Sequence, residues 1–423
     1  MINRPIYKNN NQQASLLFMQ TIDQFINYLP LLSIPFISAI VGWSTNFLAV
    51  KMMFYPIEFY GIKPFLGWQG LIPAKRQEMA EIEVELVLGK LLSVQELADR
   101  IDPVELTKAI QRRLKQTVRT IINDVMKESA PQLWASLPVQ GKNLVYARVE
   151  ADIPNVVTKM VNDFKHNIEE IVDIKELVVG QLVNAPELIN EIFLKSGAKE
   201  FPFIEKSGFY FGFLFGLPTM LVWMAYPTWW VLPLGGLIVG YATNWIALKI
   251  IFEPKHPIKI FGFTFQGMFL KRQKEVSRVY SDIIESKLMT SKNIIEIAVH
   301  GSGSGQLLEL IELHVNDAIE RYVAIAQPYF ALGVGSASYF RMKELATQRI
   351  FNDSEKYLAY AYEYTNKALR IGDDLCERMQ ALSPEEFEGV LRPAYEADEW
   401  KLIVTGAILG MSAGFMQLYL VFM

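Results

Sequence analysis

Two asparagines stand in stretches of sequence that offer them no charged partner. Asn46 falls in the tract 24–50 and Asn244 in the tract 207–248, and neither contains Asp, Glu, Lys or Arg. A buried amide left without a hydrogen bond costs about 2–7 kcal/mol, so each must find one. On a helix, Gly42, Thr45, Asn46, Ala49 and Met53 share a face, and so do Gly240, Thr243, Asn244 and Ala247. Each helix thus presents a stripe that is both small and polar. Two chemistries suit it. One is a clasp, in which small residues let helices approach and amides bond across at about 0.6–2 kcal/mol each. The other is a row of amides lining a solute path or binding a headgroup or ion. Lys51 and Lys249 come nine residues after the stripe glycines, on the opposite side of the helix. Their long stems suit snorkelling to a membrane surface. With Lys63, Lys75 and Arg76, or with Lys255, Lys271 and Arg272, they also suit an anionic lipid phosphate.

Other chemistry finds little support. The four histidines, His166, His256, His300 and His314, lack zinc-helix spacing, and the single Cys376 excludes an intrachain disulfide and a cysteine-rich metal site. No Ser-His-Asp or Cys-His set can be assembled, so neither an enzyme nor a cofactor or metal is expected. Gly301, Gly303 and Gly305 imitate a phosphate loop without its Lys-Ser/Thr and are expected to be a flexible linker. The cluster Glu385, Glu386, Glu388, Glu396, Asp398 and Glu399 is expected to be a solvated helix face. A formal net charge of −4 gives no reason to expect nucleic acid.

The stripes need apolar helices to carry them. Residues 24–50 and 402–423 each fit one crossing of a bilayer, and 207–248 has room for two around Tyr226-Pro227-Thr228. The polar, Asn-rich residues 1–28 lack a cleavage pattern, so the first span is expected to be an uncleaved anchor. The motif Gly42-x-x-Thr45-Asn46-x-x-Ala49-x-Lys51-x-x-Phe54-x-Pro56 returns as Gly240-x-x-Thr243-Asn244-x-x-Ala247-x-Lys249-x-x-Phe252-x-Pro254, at an offset of 198 residues (240 − 42). Gly208, Gly212 and Gly216 return at the same offset as Gly406, Gly410 and Gly414. These glycines form a ridge on each helix and are expected to pack against the Thr-Asn stripes.

The chain therefore reads as two tandem parallel repeats of span, polar domain, span. The segments are 1–28 (polar), 29–50 (span), 51–207 (helical domain), 208–226 and 229–252 (spans), 253–401 (helical domain) and 402–423 (span). Basic residues close to the spans lie on the polar-domain side (Lys51, Lys63, Lys195, Lys199, Lys206, Lys249, Lys255, Lys259, Arg392, Lys401), which places both domains in the cytoplasm.

The doubled Thr-Asn motif, and the tail from Ser383 to Lys401 leading into Gly406 and Gly410, resemble the bacterial membrane family catalogued as domain of unknown function 445. The resemblance covers nearly the whole chain beyond residue 28. It implies an inner-membrane protein and brings no catalytic residues with it.

Within the polar segments, Leu106, Ile110, Leu114, Val118, Ile121 and Val125 mark an amphipathic helix. Val156, Met160, Phe164, Ile168 and Ile171 mark another, and Leu308, Ile311, Val315, Ile319 and Tyr322 a third. Tyr357, Tyr360, Tyr364 and Ile371 extend the pattern. Breaks are expected before Pro103, Pro131, Pro154 and Pro186. A short hairpin pivots at Gly262, and the aromatics Phe59, Tyr60, Phe65 and Trp68, with Phe261, Phe263 and Phe265, suit the headgroup layer. The fold class is mainly α, an integral membrane protein with about four transmembrane helices and two helical cytoplasmic domains. Three roles fit it: a scaffold for a protein partner or homo-oligomer, a module handling membrane lipids or another apolar ligand, and a small transporter or channel lined by the Thr-Asn stripes.

Overall fold

The computed structural model describes residues 7–62, 66–86, 89, 91–260, 262–330, 336–396 and 398–423. Among the described residues, four helices are long and apolar enough to cross a membrane: Pro30–Phe54, Glu200–Ala225, Val231–Phe252 and Glu399–Phe422. They are called spans one to four below. Span one is the end of a longer helix, Tyr7–Phe54, that runs through Pro30 and Pro35. Helix therefore continues back into the segment 1–28. Span two begins at Glu200, ahead of the charge-free tract, because its first two turns carry Glu205 and Lys206 on a helix whose apolar face is already established.

The chain forms two compact units. The first comprises Met1–Arg76, Ile189–Val276 and Leu382–Met423, and it contains all four spans. Span one packs on span two and span three on span four, and the two pairs also touch. Burial along span one alternates in pairs: Gly42, Thr45, Asn46, Ala49 and Val50 are buried, whereas Trp43, Phe47 and Leu48 are exposed. Span two likewise exposes Leu214 and Leu221. Large apolar side chains outward and small or polar ones inward is the pattern that a hydrocarbon solvent selects.

After spans one and three the chain turns into antiparallel hairpins, Tyr60–Ile62 with Leu66–Trp68 and Ile258–Ile260 with Phe263–Phe265. Gly262 takes φ +84°, a left-handed conformation that a side chain would resist. Tyr60 and Phe265 are exposed. Lys63, Phe65 and Phe261 lie outside the described residues.

The second unit comprises Gln77–Leu188 and Ser277–Ala381. The two polar segments thus do not make two separate helical domains, because their central parts fold together. The reason lies in the amphipathic faces. The helix Pro103–Ser129 packs on Ser336–Asn352, and Val139–His166 packs on Ser304–Phe330, so each segment covers the apolar stripe of the other. Ion pairs join the same segments, Arg349 reaching Glu128 at 3.0 Å and Arg321 reaching Asp152 at 3.1 Å.

Three of the expected proline breaks coincide with helix starts at Pro103, Pro131 and Pro186. Pro154 differs. It sits inside Val139–His166, where buried Ile153 and the flanking apolar residues hold the helix together in spite of the missing N–H. The tyrosine stretch is also not one helix. A 3-10 turn at Ala359–Ala361 and Arg370 in the left-handed region (φ 49°) divide it. Nor is Gly301–Gly305 a loose linker: a methyl on Gly303 would overlap the carbonyls of Glu170 and Ile171, so the turn is packed tightly there.

Candidate functional site: an amide clasp and an apolar cavity

Both stripe asparagines are buried and bonded across to a neighbouring span. Asn46 Nδ2 donates to the Ile204 carbonyl at 2.7 Å, and Asn244 Nδ2 donates to the Leu402 carbonyl at 2.8 Å. In each case the partner lies 158 residues farther along the chain. Glycine makes this reach possible. A methyl on Gly208 would overlap the Gly42 carbonyl and press on Asn46 Nδ2 at 2.8 Å. On Gly406 it would collide with the Asn244 amide, and on Gly410 with the Gly236 carbonyl. Gly212 and Gly216 lie against Ser38 and Pro35, and Gly414 against Leu232. Backbone therefore rests on backbone along each pair of spans. Thr45 and Thr243 turn their hydroxyls back onto the Gly42 and Gly240 carbonyls of their own helices, at 3.1 and 3.5 Å. The amide oxygens Oδ1 of Asn46 and Asn244 have no hydrogen-bond partner among the described residues.

Lys51 and Lys249 point away from these stripes and are exposed. Lys51 Nζ lies 5.4 Å from the Tyr55 ring centre, and Lys249 Nζ lies 5.0 Å from that of Trp245, within range of a cation–π attraction. Lys249 also pairs with Glu253 at 3.2 Å.

The basic residues considered for lipid phosphate divide. Arg272 is largely buried and pairs with Glu200 at 2.5 Å and Glu275 at 2.8 Å. Hydrogen bonds from Arg272 and Lys199 pull the Glu275 carboxyl down to about 2, and the same carboxylates raise Arg272 despite its burial. Its fork is committed inside the protein, which argues against headgroup contact. Lys75 pairs with Asp398 at 3.3 Å and Arg76 lies 3.7 Å from Glu58, while Lys271 is exposed. The acidic cluster is correspondingly not a solvated face throughout. Asp398 is buried between Lys75 and Lys401, and Glu388 is buried between Lys255, at 2.7 Å, and Arg392. At both positions cations replace the water that the carboxylate gives up.

Sequence reasoning missed three groups. Ser38 and Gly236 extend the close approach by a turn in each pair, and the signal was there in their spacing of four from Gly42 and Gly240. Asn190, buried, donates to the Phe54 carbonyl at 2.8 Å and so satisfies an end carbonyl of span one. Glu83 is buried and accepts a hydrogen bond from the Tyr280 hydroxyl. Burial pushes its carboxyl up to about 7, and the tyrosine bond only partly opposes this. Nothing in a lone Glu within a helical pattern marks it as buried.

The second unit holds a partly open apolar cavity of 390 Å³. Leu106, Ile110, Val157, Ile311, Val315 and Ile350, from four helices, are among the residues lining it. Leu106, Ile110, Ile311 and Val315 belong to stripes that the helical periodicity picked out, whereas Val157 and Ile350 do not. All six face a common space instead of closing on one another completely. Tyr322 stands at its wall with its hydroxyl on Asp152 at 2.9 Å.

Apolar spans locked by buried amides, with lipid-type side chains outward, describe a membrane protein, and sequence comparison agrees. Relatives of this chain are named UPF0754 membrane proteins. One from Thermosynechococcus vestitus is 32% identical over 117 residues, covering 26% of this chain and 28% of the relative. One from Staphylococcus epidermidis is 26% identical over 207 residues, covering 43% and 52%. A third, from Picosynechococcus, is 26% identical over 161 residues, covering 33% and 38%. The matched region spans about half of these relatives' length or less. UPF0754 is an uncharacterised bacterial membrane family. No family model matches the chain, and no solved structure does.

Proposed function

We propose that the protein is a non-enzymatic bacterial inner-membrane protein whose helical second unit, on the cytoplasmic side, holds a lipid or another apolar ligand. The observation that carries this reading is the cavity. Its 390 Å³ fall within the range of about 300–1,000 Å³ typical of ligand sites. Its wall is almost wholly apolar, and leaving such a wall against water is unfavourable. Burying methylenes there, each worth about 0.8 kcal/mol, offsets that cost. The transport alternative draws less support, because the stripe Thr hydroxyls are spent on carbonyls of their own helices and the Asn N–H groups on the neighbouring spans.

The test uses the full-length protein in an amphipol with 1-aminoanthracene, a probe that fluoresces on entering apolar sites. Ala318 lines the cavity and is buried, so Ala318→Phe fills space without adding a polar group. The wild type should take up the probe saturably, and Ala318→Phe should lose at least tenfold in affinity while its thermal unfolding stays cooperative. Equal uptake by both, or none by the wild type, would refute the reading.

A further inference from the structure

The apolar cavity does not end in apolar surface. A second, more open cleft of 540 Å³ adjoins it, and Val94, Val172 and Ile174 line both. Beyond those shared side chains the walls change character. Glu169, Asp173, Lys175 and Arg378 line the cleft together with Ser93. Two carboxylates and two cations thus line a cleft that shares a wall with a chamber lined mainly by aliphatic side chains.

We infer that the ligand of the second unit is a single-chain zwitterionic lipid, its acyl chain in the cavity behind Val94, Val172 and Ile174 and its head among Glu169, Asp173, Lys175 and Arg378. This deepens the function proposed above and rests on it. The chain count follows from volume. A methylene takes about 30 Å³, close to a water's share of the liquid, so the cavity accommodates on the order of a dozen carbons. That is one chain and not two. The head follows from charge. An alkane or long alcohol would leave the ions of the cleft unused, and an anionic head would set its full charge against Glu169 and Asp173. A head with both signs meets a partner for each: phosphate for Lys175, ammonium for the carboxylates. Arg378 is partly engaged by Glu96, and Asp173 caps the helix Ile174–Asn184 through a 2.9 Å bond to the Glu176 N–H. Glu169 and Lys175 line the cleft and are both exposed, which makes them the residues to alter without disturbing the fold.

The experiment measures displacement of 1-aminoanthracene from the full chain in amphipol by three amphiphiles with matched twelve-carbon chains: lysophosphatidylcholine, laurate and dodecanol. The lysolipid should displace at a concentration at least tenfold below either of the others. In Glu169→Ala/Lys175→Ala that advantage should shrink below threefold while dodecanol is unaffected. If laurate or dodecanol matches the lysolipid on the wild type, or the advantage survives intact in the variant, the zwitterion assignment is overturned and the apolar-ligand function stands. If the probe never binds, both fall together.

Discussion

Substituting Gly208 by alanine tests the clasp at its tightest point. The added methyl would overlap the Gly42 carbonyl oxygen and sit 2.8 Å from Asn46 Nδ2. Neither neighbour can retreat cheaply. The carbonyl belongs to the backbone of span one, and the amide is held by its 2.7 Å bond to Ile204. Forcing an extra carbon into a packed contact costs about 1–3 kcal/mol. Loss of the interhelical bond adds about 0.6–2 kcal/mol. Gly208→Ala should therefore destabilise by roughly 2–4 kcal/mol. The assay is reversible unfolding in mixed micelles titrated with SDS. Leu214→Ala is the control, because Leu214 is exposed on span two and should change stability by less than about 0.5 kcal/mol. A double-mutant cycle with Asn46→Ala sharpens the result. Part of the clash is with the amide, so removing the amide should recover about 0.5–1.5 kcal/mol of the alanine's cost. Gly208→Ala behaving like Leu214→Ala, or a cycle that is strictly additive, would refute the account.

Three further outcomes follow from the same geometry. Glu83 has a folded pKa near 7 against an ordinary 4.5, so the folded state holds the proton more tightly. Its contribution is intact below about pH 4.5 and is lost as pH rises through 7, by roughly 2–3 kcal/mol. Glu83→Gln should abolish that loss, and denaturant titrations at pH 5 and 8 would reveal it. Arg272→Met leaves Glu200 buried with its cation gone and should cost about 3–5 kcal/mol, whereas Lys271→Met, at an exposed site, should cost almost nothing. Reporter fusions at residues 150 and 350 should both indicate the cytoplasm, and one after residue 423 the far side, given the positive residues beside the spans. Opposite results at 150 and 350 would break the parallel arrangement.

What the sequence made legible was whatever one helix decides alone. Charge-free tracts overlap the four long apolar helices, whose ends lie within a few residues of them except at Glu200, where a helix already under way carries charge past the apolar boundary. Residue spacing put Asn46 beside Gly42 because both depend on a single periodicity. Partnership between segments was out of reach. Nothing local says that Leu106 and Ile110 pack near Ala361, some 250 residues away, so the interleaving of the two polar segments was missed. The ion pairs were missed for the same reason. Arg272 and Glu388 look like surface charge when each is read among its own neighbours, and only the fold places a counter-ion against them. Pro154 is the opposite error, a strong local rule overridden by tertiary burial.

At one corresponding position the two halves of the chain place different chemistry, and this makes a last prediction. Asn190 bonds the Phe54 carbonyl at the end of span one, while Glu388, at the offset of 198 residues (388 − 190), lies buried beside Lys255 and Arg392 near the end of span three. The burden in the second arrangement is unequal. The Glu388 side chain is 4% exposed, but Lys255 keeps 41% and Arg392 23%. A cation that loses its partner there still meets water, whereas the carboxylate would not. Glu388→Gln should therefore cost only about 1 kcal/mol, with two hydrated cations left behind. Removing both cations, as Lys255→Met/Arg392→Met, strands a buried charge and should cost about 3–5 kcal/mol. Adding Glu388→Gln to that pair should then restore most of the loss. SDS titration of the three variants measures all of this. If Glu388→Gln proves the most damaging, the carboxylate is needed for something other than neutralising its neighbours.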